Sequence, residues 1–199
     1  MKNKSSNIRF LAVNALLAAV ICVVSFLPIR TLGLEITLSM VPVAIGACLY
    51  GPMSGALLGG VFGVVSFIQC FGYSPFGAVL LGENPLLTAI VCIPTRILAG
   101  LLAGLIAVAI GKLCKKEKST LALAVGSVAA PVLNTLFFMS ALVLCFWNTE
   151  YIQGFAGALG AANPFIFVIL FVGINGLVEI IAGFILALPL SKALSKIKE

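Results

Sequence analysis

The 199-residue chain contains no histidine and no aspartate, and only 9% of its residues are charged. Those absences exclude a serine–histidine–aspartate triad, an aspartyl dyad and a His-ligated zinc or haem site. No G-x-x-x-x-G-K-[ST] run is present to cradle a nucleotide phosphate. The lysines cluster beside the ends of apolar runs and leave no convincing Ser-Lys or Cys pair, so an enzyme is not expected. Six cysteines, at 22, 48, 70, 92, 114 and 145, show no C-x-x-C or metal spacing and read as small buried hydrophobes. No metal or other cofactor is expected in this chain.

What is abundant is apolar surface: 62% of the residues are hydrophobic, against roughly 45–50% in a soluble domain. A spanning helix takes about 20 apolar residues, so about six spans would occupy most of the chain. No polar stretch is long enough for a separate aqueous domain, and residues 1–199 read as one all-α integral membrane domain. The net charge of +6 must be read by position. Lys2, Lys4 and Arg9 precede the first apolar run, Lys112, Lys115, Lys116 and Lys118 form one internal cluster, and Lys192, Lys196 and Lys198 close the chain. The positive-inside rule puts all three groups in the cytoplasm, which requires an even number of spans with both termini inside. No basic stripe with interleaved aromatics points to nucleic acid. The first apolar run is as long as a full span and ends in SFLPIR without a small-residue cleavage pattern, so it reads as a helix and not as a signal peptide.

Six spans are expected at about residues 8–27, 37–50, 54–71, 85–113, 120–147 and 165–194. Span two is short, and YGPMSG after it is a tight turn. Span three, with GALLGGVFGVVS, is rich enough in small residues to let neighbouring backbones approach closely. Pro94 inside span four lacks the helix-bonding N–H and predicts a kink. The segments GYSPFGAVLLGENP and NTEYIQGFAGALGAANP are expected as outer loops. No internal repeat supports an inverted-repeat transporter plan.

Polar groups inside the spans are few, and charge within a membrane is costly enough to suggest function. Arg96 lies well inside span four. Asn134 and Thr135 lie in the middle of span five, and Asn175 and Glu179 share one face of span six at i, i+4 spacing. Counted from the outer ends, these groups fall at comparable depth. The plainer reading is an Arg96–Glu179 pair holding two helices together, with Asn134 and Asn175 as interhelical hydrogen-bond glue. Four polar groups at one depth favour a binding site, and a pair at its floor would still present a guanidinium to a ligand carboxylate.

The order of spans, with TLSMVPVAIGACLYGPMSGALLGGVFGVVSF, GENPLLTAIVCIPTRILAGLLAGL, PVLNTLFFM and VGINGLVEIIAG, resembles the substrate-binding S component of energy-coupling factor (ECF) vitamin transporters over nearly the whole chain. Within that family it looks closest to the pantothenate branch. The resemblance implies a six-helix bundle in a prokaryotic cytoplasmic membrane that binds a vitamin near its outer face. It also implies a transmembrane T component and two ATPase subunits that bind ATP. An AxxxA face on helix one meets the T component in the family; the matching positions are Ala15 and Ala19, and Ala12 extends the stripe. Toppling of the whole bundle in the bilayer is the mechanism the resemblance implies.

The candidate layer also speaks to the ligand. Arg96 offers a bidentate donor for a carboxylate, while Asn134, Asn175 and Glu179 suit hydroxyl and amide groups. Pantothenate carries one carboxylate, two hydroxyls and one amide. Riboflavin would profit from aromatic faces, which the layer is not expected to hold, and cationic thiamine would meet Arg96 unfavourably. Biotin, folate and a pyridoxine-type ligand stay compatible. Arg30, Glu35, Tyr73, Asn84 and Tyr151 are candidates to cap the site from the outer loops, with solvent exposure or interface anchoring as their plainer role. A self-sufficient proton-coupled carrier titrating Glu179 is the competing function.

Overall fold

The computed structural model describes residues 2–27, 29–31, 34–36, 38–115 and 119–197; the side chains of residues 2–7, 29–31, 34–36, 174–175 and 196–197 lie outside that description. Helix α1 (Lys2–Ser25) leads into a hairpin of β1 (Ile29–Thr31) and β2 (Leu34–Ile36). Then come α2 (Met40–Tyr50), α3 (Pro52–Gln69), α4 (Pro75–Glu83), α5 (Pro85–Leu113), α6 (Thr120–Phe146), α7 (Glu150–Ala158) and α8 (Pro164–Ala182). A wide π turn (Gly183–Ala187) and α9 (Leu188–Ile197) complete the chain. The described residues are almost wholly helical.

Five stretches are long and apolar enough to cross a bilayer: Ile8–Ser25, Pro52–Gln69, Pro85–Leu113, Thr120–Phe146 and Gly176–Ser195. The second expected span appears as α2, whose 11 residues rise only about 16 Å at 1.5 Å each, short of a hydrocarbon core about 30 Å thick. Every residue from Met40 to Leu49 is buried, so helices and not lipid surround α2. The sixth expected span is interrupted at Gly173, whose φ of 29° and ψ of −118° break the helical path. A φ of that sign favours glycine, which has no Cβ to clash. Helix α5, by contrast, runs unbroken through Pro94.

Both segments expected as outer loops contain a short helix with its own start signal. The Ser74 hydroxyl accepts from Gly77 N at 3.3 Å ahead of Pro75, and the Thr149 hydroxyl accepts from Ile152 N at 3.4 Å ahead of Glu150. Proline at the first helical position and an acidic first turn both suit a helix N-terminus. These helices contribute to an apolar cluster in which Phe76, Leu142, Phe146, Ile152, Phe167 and Phe171 are buried.

The tightest packing joins α3 to α5. A Cβ built on Gly55 would overlap the carbonyl oxygen of Gly100, and one on Gly100 would overlap that of Gly55. One turn along, a Cβ on Gly59 would overlap the carbonyl oxygen of Arg96, and one on Gly63 would lie 2.8 Å from Ile93 Cα. Glycines four apart on α3 thus let two backbones touch. Polar ties hold α1 to the same body. Ser54 Oγ donates to Asn14 Oδ1, the Ser25 and Ser39 hydroxyls are 2.7 Å apart, and Gln69 Nε2 donates to Ser25 O at 2.6 Å.

Because the obstacle at Gly100 is backbone and not a flexible side chain, Gly100→Val is expected to cost at least about 1–3 kcal/mol, the usual range for overpacking. Gly82, with nothing within 4 Å of its Cβ position, is expected to accept alanine without loss. Thermal unfolding of both variants in detergent checks the contrast; equal stability would contradict the close-contact account.

Candidate functional site

Arg96 lies on the face of α5 that meets α3 and α6 and is only 7% exposed. Its Nη1 donates to two carbonyls of its own helix, Cys92 O at 2.9 Å and Val91 O at 3.3 Å. The guanidinium carbon sits over the ring of Phe62 from α3, 4.8 Å from the centroid, and over Phe138 from α6, at 5.0 Å. Rings at that distance attract a cation through their negative faces. Nε is buried and has no hydrogen-bond partner among the described residues. Arg96 forms no ion pair among them either, so the simple pairing with Glu179 is not what holds it.

Asn134, one turn before Phe138 on α6, is 8% exposed, and its Oδ1 is also buried without a partner among the described residues. Arg96 and Asn134 therefore carry an open donor and an open acceptor on adjoining helices. Thr135, the next residue, turns elsewhere. It lines an open groove of about 1120 Å³ between α6 and α8, together with Met139, Ser140, Val172, Gly173 and Gly176. Glu179 is half-buried on α8. The Asn175 backbone is helical in α8, but its side chain lies outside the described residues.

Asn84 is exposed and caps α5: its Oδ1 accepts from Leu86 N and Leu87 N, both at 3.1 Å. Tyr73 is tied to the end of α1, donating to Phe26 O at 2.6 Å with its ring edge-on to Phe26. Tyr151 is half-buried among Phe76 and Phe155, and that burial raises its phenol pKa above the usual value. Arg30 and Glu35 stand opposite each other in the hairpin register, with side chains outside the described residues. Ala12, Ala15 and Ala19 are all exposed on α1.

The aromatic-free layer expected from the sequence is not what forms, since Phe62 and Phe138 flank the guanidinium. Their faces are turned to Arg96. Sequence reasoning missed them because a phenylalanine in an apolar run looks like ordinary core. The partial signal is spacing: Phe62 is three residues from Gly59, and Phe138 is four from Asn134.

Five helices long and apolar enough to span a bilayer describe a multi-pass membrane protein, and Arg96 is a buried cation within it with no ion pair among the described residues. Residues 9–191 match the sequence model of the ECF transporter substrate-specific component family, and the chain belongs to that family. This bears out the resemblance at the level of the family. The family is a transporter's substrate-binding component and not an enzyme family; in general its members take vitamins and work with a T component and ATPase subunits. No curated protein matches the chain.

Replacing Asn84 by alanine removes the cap on α5 and is expected to cost about 1 kcal/mol, while aspartate, which caps as well, keeps stability. Thermal unfolding distinguishes the two. A large ligand-affinity loss in both variants with unchanged stability would instead make Asn84 a ligand contact.

Proposed function

We propose that this chain is the pantothenate-binding S component of an ECF importer, a bundle counted as six helices with α2 as the short second one. Both termini then face the cytoplasm of a prokaryotic cell, and the protein sits in its cytoplasmic membrane. The observation that carries the reading is Arg96: a buried cation in a membrane body whose Nε has no partner among the described residues. Intramembrane charge is rare and expensive, and a ligand carboxylate is the group that best offsets it. Asn134 supplies an acceptor for a ligand hydroxyl or amide proton. Asn175 and Glu179, on the next helix, are assigned the remaining polar groups of the ligand, with Thr135 at the edge of the same level.

Pantothenate suits these groups because it combines a carboxylate with hydroxyls and an amide on a small flexible frame. Riboflavin is disfavoured, since the rings nearest the site already face the guanidinium. The chain holds no cofactor of its own in this reading. ATP is bound by two ATPase subunits, and a T component transmits their motion through the exposed stripe of Ala12, Ala15 and Ala19 on α1.

Calorimetry on the purified chain is expected to show tight pantothenate binding without any partner. Arg96→Ala should weaken it by about ten- to a hundredfold, the value of a hydrogen bond to a charged group, and Asn134→Ala by less. Tight binding of biotin, folate, riboflavin or a pyridoxine-type vitamin in place of pantothenate would overturn the substrate. Uptake into vesicles holding this chain alone, abolished by Glu179→Gln, would establish the proton-coupled carrier instead.

A further inference from the structure

Arginine offers its donors along edges. Nη1 is already used by Cys92 O and Val91 O, whereas Nε is buried and open among the described residues. The Nε–H lies parallel to an N–H of Nη2, and those two form the fork that meets a planar carboxylate. An arginine left alone in an apolar body would swing toward any acceptor in reach. Here two rings from two different helices lie under the guanidinium carbon, at 4.8 and 5.0 Å. Phe62 is itself buried at the α3–α5 contact, and Phe138 is half-buried on α6.

We propose that Phe62 and Phe138 are specificity-determining positioning residues: they hold the Arg96 guanidinium fixed and charged in the empty site, with its Nε edge turned to the ligand. This rests on the reading of Arg96 as a ligand-binding group. The two rings take the place a counter-ion would otherwise fill, and among the described residues no carboxylate forms an ion pair with Arg96. Selection of an acid over its neutral amide then depends on the rings as well as on the arginine. Holding a rotamer-rich side chain in advance removes an ordering cost that binding would otherwise meet.

The test measures acid-against-amide preference by calorimetry, using pantothenate and biotin, each beside its neutral carboxamide. The variants are Phe62→Leu and Phe138→Leu, with Phe62→Tyr and Phe138→Tyr as ring-keeping controls and thermal unfolding as a check on folding. Wild type is expected to prefer one acid over its amide. In the leucine variants that preference should fall by about five- to tenfold, as expected from lost pre-ordering of one long side chain. Affinity for the amide should hold, and the tyrosine variants should keep the preference. Phe138→Leu, at the less buried ring, carries the test if Phe62→Leu does not fold. An unchanged preference in the leucine variants, a parallel loss of acid and amide, or a wild type that favours neither acid over its amide would overturn the proposal. The full pattern appearing with biotin and not pantothenate would support the ring pair while overturning the pantothenate reading.

Discussion

The contact between α3 and α5 is the constraint on which the rest of the molecule depends. At Gly55, Gly59 and Gly63 one backbone lies directly on the other, and the reciprocal partner is again a glycine, Gly100. In a bilayer, lipid is as apolar as leucine, so helices gain little from hiding apolar side chains. Close backbone packing becomes a main source of association. The same contact sets the surroundings of Arg96. Gly59 brings α3 onto the carbonyl of Arg96, and three residues on, Phe62 reaches the guanidinium of that same residue. A side chain at Gly59 would separate the helices and take the ring off the cation.

How Arg96 is stabilised bears on what it can do. Had it been locked to Glu179, the two charges would have satisfied each other, and a ligand would have to break a buried ion pair, a strongly unfavourable step. Instead the helix supplies two carbonyls to Nη1 and two other helices supply ring faces. Ring faces attract a cation without accepting its N–H protons in the plane. The charge is thus tolerated within the apolar body while one edge keeps its hydrogen-bonding capacity. Such a half-satisfied group is unfavourable for a purely structural element and useful for a site that has to wait empty.

Much of this was legible in the sequence, for reasons that differ by residue. Arg96 and Asn134 stand out because a polar residue in an apolar run needs a reason, and both prove buried, each with an atom that has no hydrogen-bond partner among the described residues. The glycine run of span three foretold close approach. Asn84 was read as a loop residue, although an asparagine directly before a proline and a long apolar run is also a helix-start signal. The same rule applied to Ser74 and Thr149 would have placed α4 and α7 inside the expected loops. The break at Gly173 was not legible, since a glycine in a glycine-rich membrane helix is more often a packing residue. The divergence of Asn134 and Thr135 follows from the turn of about 100° between successive helix residues, which sends neighbours at one depth to different faces.

The same physics explains why α1 is suited to an external role. Its inward face is fixed by polar ties that cost little inside the body, with Asn14 to Ser54, and Ser25 both to Ser39 and, through its carbonyl, to Gln69. Its outward face keeps Ala12, Ala15 and Ala19 exposed between larger apolar residues such as Leu11 and Leu16. Such a face stays compatible with lipid, and its small residues also let a second helix come close. In the proposed reading the work comes from partner subunits. A rigid helix carrying small residues outward and its hydrogen bonds inward can pass a push into the bundle without itself unravelling. That division of labour between the two faces of α1 is what a helix that docks a second membrane helix requires, and it is the physical ground on which the proposed T component rests.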